Sequence, residues 1–528
     1  MSTTAGPTRL AAWLLALPMI APLLLLAASW RDPQPAVWAH LRDVVLTDVL
    51  LNTAALAVLV VLLVSVLGVS LAWLSARCDY PGRRWLDWAL VLPLAMPGYV
   101  AAFAYVGLFD YAGPVQSTWR ALSGSRAALV DIRSLGGAAV VLSLVLYPYV
   151  YLVVRAAFLK QGAAAFDAAR SLGHSPWRAF VRVALPLARP AWIAGVSLAL
   201  LETLADFGAV SILGVDTFTT AIYKVWFGLY SLPGAAQLAC VLLLLVSGVL
   251  LLERFTRGRG RVAERSLRAM PRLRLRGARA WGATTFAVLV FGFGFVLPVA
   301  RLVQWAIAAG AWPDGLGEVA TNTALIGATV AGVVLVIGLA FALLEHRRPH
   351  DRWLRAPVFI ANLGYAVPGT VLAVASMLLL LRAEHALAAS LGWTVALSSS
   401  VAAMVVALTL RFLRVGHDTV ESGLHALRPD LLESARLLGA GPWRRLHRIV
   451  LPLLRPSLLA ALLLVLVETM KEMPATLMLR PFGWDTLAVK IHGYTAEGLW
   501  EQAAWPALLL IGIGLLPVWL LVRRSGDL

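Results

Sequence analysis

Four carboxylates stand inside long apolar runs, where charge is costly and therefore informative. Glu202 and Asp206 lie in LLETLADFGAVSILG, Glu468 and Glu472 in LVETMKEMPATLMLR, and adding 266 to each member of the first pair gives the second. An ionised side chain at bilayer depth costs roughly 2.5 kcal/mol or more on insertion scales and is read first as functional. Each pair is spaced i, i+4, which predicts both carboxylates on one helix face. Counted from Pro190, Glu202 falls about 18 Å along that helix, inside the hydrocarbon. Gly208 and Pro474 follow the acids and are expected to loosen the helix just beyond them, as at transport sites with interrupted helices. Four such acids do not contradict a hard cation, which prefers oxygen ligands. Interhelical hydrogen bonding by protonated acids, or a pair held by Lys471, is the structural alternative.

The elements that must position these acids begin with a polar insert ahead of each pair. FDAARSLGHSPWRAFVRVALPLARP runs from Phe166 to Pro190 and LESARLLGAGPWRRLHRIVLPLLRP from Leu432 to Pro456, again 266 apart. Strong helix formers before Gly173 and Gly439 predict a helix stopped by a glycine with positive φ. Ser175-Pro176 and Gly441-Pro442 supply an N-cap and a first-turn proline, which predicts a second short helix. Ala168-Ala169 and Ser434-Ala435 leave one side nearly bare for another protein's surface, while Arg178, Arg182, Arg444, Arg445 and Arg448 keep the element in water. The duplication extends further: Asn52-Thr53-Ala54 is echoed by Asn322-Thr323-Ala324, and Met96-Pro97-Gly98 by Val367-Pro368-Gly369.

With 528 residues, 60% hydrophobic content and a mean hydropathy of +0.80, the chain lies far outside the range of soluble domains. Apolar runs long enough to span a bilayer fall near 11 to 29, 48 to 75, 85 to 108, 137 to 158, 190 to 213 and 236 to 252. They resume near 282 to 306, 319 to 344, 355 to 381, 393 to 413, 456 to 479 and 504 to 522. This predicts an all-α polytopic membrane protein of about 12 transmembrane helices in two six-helix repeats. Six is even, so both repeats must insert the same way, as parallel repeats with the path between them. The halves are 1–253, with its insert at 163–190, and 282–528, with its insert at 429–456, joined by a linker at 254–281. The first run is preceded only by Arg9 and is read as a retained span rather than a cleaved leader.

The net charge of +17 does not point to a nucleic-acid partner, because the arginines are placed by topology. Ten of them lie between 254 and 279, and others follow the second, eighth and twelfth runs. The positive-inside rule makes that side cytoplasmic, together with both inserts and both termini. The basic linker is expected to lie against anionic headgroups.

The doubled insert resembles the cytoplasmic EAA loop of ABC-importer permeases, and the resemblance covers almost the whole chain as two permease subunits fused into one. It implies ATPase docking through Asp167, Ala168, Ala169, Gly173 and Pro186 in the first copy. Glu433, Ser434, Ala435, Gly439 and Pro452 carry the same role in the second. Asp167 replaces the usual Glu and Ser434 the first Ala, which keeps charge and small size but allows the two ATPase subunits to be held unequally. The segments after the loops resemble fused ferric-iron-type permeases, a group beside thiamine, phosphonate and polyamine permeases. The resemblance therefore implies a bacterial inner-membrane permease, with two copies of a cytoplasmic ATPase and a periplasmic or lipid-anchored substrate-binding protein as partners. Glu202, Asp206, Glu468 and Glu472 are the candidate translocation path.

The chain has four lysines, none after a glycine, so the phosphate-cradling GxxxxGK[ST] loop is missing and ATP belongs to a partner subunit. This chain is expected to bind no cofactor and to be no enzyme. Cys78 and Cys240 cannot pair across the expected topology, and the histidines, His174 and His447 included, show no metal-ligand spacing, so no metal site is assigned. Two other classes compete: a gradient-driven secondary transporter with the acids as its ion site, and an intramembrane enzyme holding Mg²⁺ and a prenyl diphosphate. Neither explains a duplicated helix-turn-helix on the cytoplasmic side.

Overall fold

A bilayer offers backbone N–H and C=O groups no partner but their own chain, so apolar runs of this length must close their hydrogen bonds as helices. The computed structural model describes residues 5–124, 129–161, 168–169, 171–257, 272–347 and 351–525. Among them, ten helices are long and apolar enough to cross a membrane, and a bent pair, Arg83–Ala95 with Gly98–Ser123 at 94°, adds an eleventh. The protein is an all-α polytopic membrane protein. The run expected near 393 to 413 differs from the rest. Its helix is Val401–His425 and carries Arg411, Arg414 and Asp418, too much charge for a purely apolar span. Residues 393–400 stay outside it, and Ser400 opens it by accepting from the Ala402 N–H.

The helices that matter below, in chain order, are α1 (Ala5–Ala28), α2 (Leu46–Arg77), α3 (Gly98–Phe109), α4 (Leu135–Lys160), α5 (Trp177–Ala205), α6 (Gly208–Ile212) and α7 (Leu297–Ala309). They continue with α8 (Leu316–Arg347), α9 (Gly369–Leu391), α10 (Val401–His425), α11 (Pro429–Leu437), α12 (Pro442–Lys471), α13 (Pro474–Leu479) and α14 (Trp500–Ser525).

The chain packs as two compact units that do not follow the sequence repeats. One comprises Met1–Trp38, Ile222–Leu243 and Asp314–Lys490. In it α1, from the first repeat, packs on α9 and on Arg352–Ala361, from the second, and Arg9 Nε lies 2.9 Å from Asp351 Oδ2. Helices α8, α10 and α12 converge on an aliphatic core of Ala342, Val420, Leu424, Val450 and Leu454. The other unit comprises Ala39–Ala221, Leu244–Pro313 and Ile491–Leu528. Its helices α2, α4 and α5 converge at the matching place through aromatic rings. Trp73 meets Phe158 at 5.2 Å and Phe180 at 4.6 Å between centroids. Here Trp305 of α7, from the second repeat, clusters with Phe103 of α3 and Trp500 of α14, each ring in contact with the other two.

The third span of each repeat is interrupted where the duplicated Pro-Gly stands. Pro97 (φ −60°, ψ 145°) and Pro368 (φ −55°, ψ 144°) are extended, and α3 and α9 begin at the glycines that follow. Of the basic linker, residues 258–271 lie outside the described residues. Just beyond them Leu273–Arg274 pairs in parallel with Cys78–Asp79. Arg77 and Arg83, which follow the second span, are buried. Arg77 donates to the Phe158 and Gln161 carbonyls at the end of α4, and Arg83 lies 2.9 Å from Asp87. They brace the loop end of the first repeat.

Candidate functional site

The two polar inserts stop their first helix by the same backbone device. Gly439 has φ 74°, its N–H bonds the Arg436 carbonyl at 3.1 Å, and the Ala440 N–H bonds Ala435 at 3.0 Å. Those are the two bonds of a Schellman cap, which needs a residue in the left-handed region. In the first insert Gly173 has φ 84° and the His174 N–H bonds Ala169 at 3.1 Å. Asp167 lies outside the described residues.

Ala168, Gly173, Pro186, Glu433, Ser434, Gly439 and Pro452 are all exposed, but Ala169 and Ala435 are buried. The small-residue face is therefore only half open: the second small residue of each copy turns inward with the carbonyl that closes the cap. What stands in solvent is a matched apolar pair that sequence reasoning passed over. Leu172 and Trp177 are 80% and 70% exposed in the first insert, and Leu438 and Trp443, at the same offset, are 87% and 74% exposed in the second. The signal was present, since all four occupy equivalent positions in the repeat.

After the cap the chain starts a new helix at once. Ser175 Oγ accepts from the Arg178 N–H at 3.3 Å, and Gly441 (ψ 163°) hands over to Pro442. This is not the separate short helix the sequence suggested. Trp177–Ala205 and Pro442–Lys471 are continuous rods of 29 and 30 residues, each carrying a π-helical turn at Phe180–Ala184 or Leu446–Val450. The proline initiates the membrane span itself, because nothing after it breaks the helix. At 1.5 Å per residue each rod carries the loop end about 45 Å.

Both rods end at the second acid. Asp206 (φ −67°, ψ 130°) and Glu472 (φ −72°, ψ 125°) are extended, so the helix stops between the members of each pair. The expected sharing of one helix face is corrected accordingly, and the break precedes Gly208 and Pro474, which begin α6 and α13. The reason is local hydrogen bonding. Glu472 accepts from the Ala475 N–H at 3.0 Å, the Thr476 N–H at 3.1 Å and Thr476 Oγ1 at 3.0 Å. Asp206 accepts from the Val210 N–H at 3.1 Å. Each carboxylate satisfies the open N-terminus of the next half-helix, where negative charge is favoured.

Glu202 and Glu468 remain in the last turn of their rods, both partly exposed. Glu468 pairs with Lys471 at 2.9 Å, and the residue matching Lys471 in the first repeat is Ala205. Arg411 Nη1 donates to the Val367 carbonyl at 3.3 Å beside the Pro368-Gly369 break. In the first repeat, α6 leads to a cavity of about 580 Å³ that Ser211 and Ile212 line together with Asp110, Arg133, His492 and Trp500.

The comparisons with known proteins agree with this doubled geometry. The chain is similar to the Fe(3+)-transport system permease protein FbpB 2 of Haemophilus influenzae, 26% identical over 492 residues that cover 91% of this chain and 90% of that one. The sulfate transport system permease protein CysT of Escherichia coli is 31% identical over 183 residues, 34% of this chain and 64% of that one. The 2-aminoethylphosphonate transport system permease protein PhnV of Salmonella typhimurium is 37% identical over 126 residues, 23% of this chain and 48% of that one. The family model described as the binding-protein-dependent transport system inner membrane component matches twice, at residues 65–260 and 334–525. Each match takes in one polar insert, its rod and the broken helix that follows, and the chain belongs to that family of inner-membrane transport components.

Proposed function

We propose that this chain is the membrane permease of an ABC importer for ferric iron, driven by two ATPase subunits that dock on its two loops. The observation that carries the reading is the repeated mechanical unit. An exposed Leu ending a glycine-stopped helix and an exposed Trp opening the next, Leu172 with Trp177 and Leu438 with Trp443, are joined by an unbroken rod to a carboxylate at a helix break. A push on the loop moves the break as one body, since a helix transmits displacement along its axis. Asp167, Ala168, Ala169, Gly173, Pro186, Glu433, Ser434, Ala435, Gly439 and Pro452 shape the docking surface. Arginine placement puts the loops and both termini in the cytoplasm of a bacterial cell. A substrate-binding protein on the opposite side delivers the cargo.

The ferric assignment draws on the likeness to FbpB 2, which runs through 91% of this chain, whereas those to CysT and PhnV cover 34% and 23%. Glu202, Asp206, Glu468 and Glu472 supply oxygen atoms to a hard cation. Lys471 and Arg411 favour a second reading, in which an oxyanion such as sulfate or a phosphonate is carried. Uptake of ⁵⁵Fe³⁺, ³⁵S-sulfate and a labelled phosphonate by cells expressing the chain with its ATPase and binding protein separates the two. Iron accumulation alone supports the first reading, and oxyanion accumulation alone replaces it with the second.

A further inference from the structure

At the loop end of the second repeat, where α8 and α10 finish, Glu345, His417 and Glu421 bring one ligand atom each to within 4.8 Å of the others. His417 is 3% exposed, and its Nε2 stands 3.2 Å from Glu345 Oε2 without an aligned hydrogen bond. Glu345 offsets part of the desolvation cost of that buried nitrogen. The other ring nitrogen is held from behind, with Asn362 Nδ2 at 3.2 Å and Asp418 Oδ1 at 3.4 Å from Nδ1. A histidine whose other ring N–H donates to an outer carboxylate, here Asp418, is the arrangement found around metal-bound imidazoles.

The first repeat shows how the same position is closed without an ion. The residues matching Glu345, His417 and Glu421 are Ser75, Tyr151 and Arg155, at the offsets of 270 and 266 that relate the repeats there. Arg155 Nε donates to Ser75 Oγ at 2.7 Å, the Tyr151 hydroxyl lies 3.1 Å from the same oxygen, and Arg155 reaches Asp87 at 3.5 Å. A guanidinium thus fills the place with positive charge. In the second repeat that guanidinium is replaced by a carboxylate, Glu421, and the position of Ser75 by another, Glu345. A protonated His417 balances one of these two carboxylates, and the other is left for a cation from outside.

We propose that Glu345, His417 and Glu421 bind a divalent first-row transition cation, through one imidazole and two carboxylates. That donor set suits Zn²⁺ or Mn²⁺ better than Ca²⁺ or Mg²⁺, which take oxygen alone. A tetrahedral ion with ligands at ordinary distances separates its donor atoms by roughly 3.3 Å, close to the His417–Glu345 spacing, and Glu421 would leave His425, 3.4 Å away, to join them. His417 and Glu421 lie one helical turn apart on α10, which puts both side chains on one helix face. The sequence concealed the site because the third ligand comes from another helix. Bound there, the ion ties α8 to α10 immediately before the second docking loop.

The test uses the full chain alone in detergent, without a polyhistidine tag, stripped with chelator and titrated with Zn²⁺ by calorimetry. Expected are one Zn²⁺ per chain and a raised unfolding temperature on binding. Asp418→Asn should weaken binding roughly tenfold, as outer partners of metal ligands do, and Glu421→Gln or His417→Gln should abolish it. Glu345→Ser/His417→Tyr/Glu421→Arg installs the first repeat's own solution. It should fold with near-normal stability and bind no Zn²⁺. Equal Zn²⁺ stoichiometry in the wild type and the triple variant, or no binding in either, overturns the proposal.

Discussion

Gly369 and Glu472 are built against each other: a Cβ on the glycine would stand 2.4 Å from Glu472 Oε1, closer than real contacts allow. The broken third span of the second repeat thus presents its bare backbone to the carboxylate that breaks the rod. In the first repeat Gly98 faces Asp206 in the same way, at 3.2 Å from Oδ2. Gly369→Ala should therefore push the Glu472 carboxylate off the α13 amides. Displacing a functional group by about 1 Å can cost as much as 100-fold in rate, and uptake should fall severely while the protein still inserts. Gly98→Ala, with more room, should lose less. Uptake by both variants at matched membrane abundance checks the order, and equal activity would show that the apposition is without consequence.

The acids now divide into two roles, and amide substitution separates them. Glu472→Gln and Asp206→Asn remove a charge from a helix N-terminus, so each should lower stability by about 1 kcal/mol, the usual worth of a cap. Glu202→Gln and Glu468→Gln sit in the rods and should leave the unfolding temperature nearly unchanged. Combining the latter two, with Lys471→Met to avoid stranding a cation, should cut uptake of a cationic substrate while binding-protein-stimulated ATP hydrolysis persists. Near-normal uptake in that triple variant removes the path reading and leaves Glu202 and Glu468 as structural residues.

The loops are tested at their caps and at their apolar pair. Gly439→Val forces a β-branched residue into left-handed backbone, at a cost of about 1–2 kcal/mol, and should unwind the cap and abolish transport without affecting insertion. Leu172→Ser with Leu438→Ser keeps both caps and removes only exposed apolar surface. ATPase subunits should then fail to co-purify with the permease. Full co-purification would mean that the exposed leucines are not where the ATPase sits.

Much of this architecture was legible in the sequence because duplication tests itself. Gly173 and Gly439 declared a turn that the backbone adopts in both copies, and Pro97-Gly98 and Pro368-Gly369 marked a break that both copies contain. What stayed hidden depends on contacts distant in sequence or on competition between hydrogen bonds. The i, i+4 spacing of Glu468 and Glu472 fits one helix face, but Glu472 gains more from the Ala475 and Thr476 amides than from continuing the helix. Arg411 sits in a run read as apolar, and only the fold brings it beside Gly369. Packing of α1 with helices of the other repeat leaves no periodicity in the sequence at all.

The proposed orientation rests on arginine density and can be read directly. A cytoplasm-specific reporter fused at residue 265 or after the C-terminus should be active, and one fused at Asp314 silent. The opposite pattern would put both docking loops outside the cell.

The central claim, that ATP on partner subunits drives this permease through its two loops, is tested most directly in proteoliposomes. The purified chain is reconstituted with its ATPase inside and the binding protein with ferric ion outside, and proton and sodium gradients are collapsed with ionophores. The account predicts iron uptake that requires ATP and is indifferent to the gradients. Uptake that persists without ATP and vanishes with the gradients would contradict it.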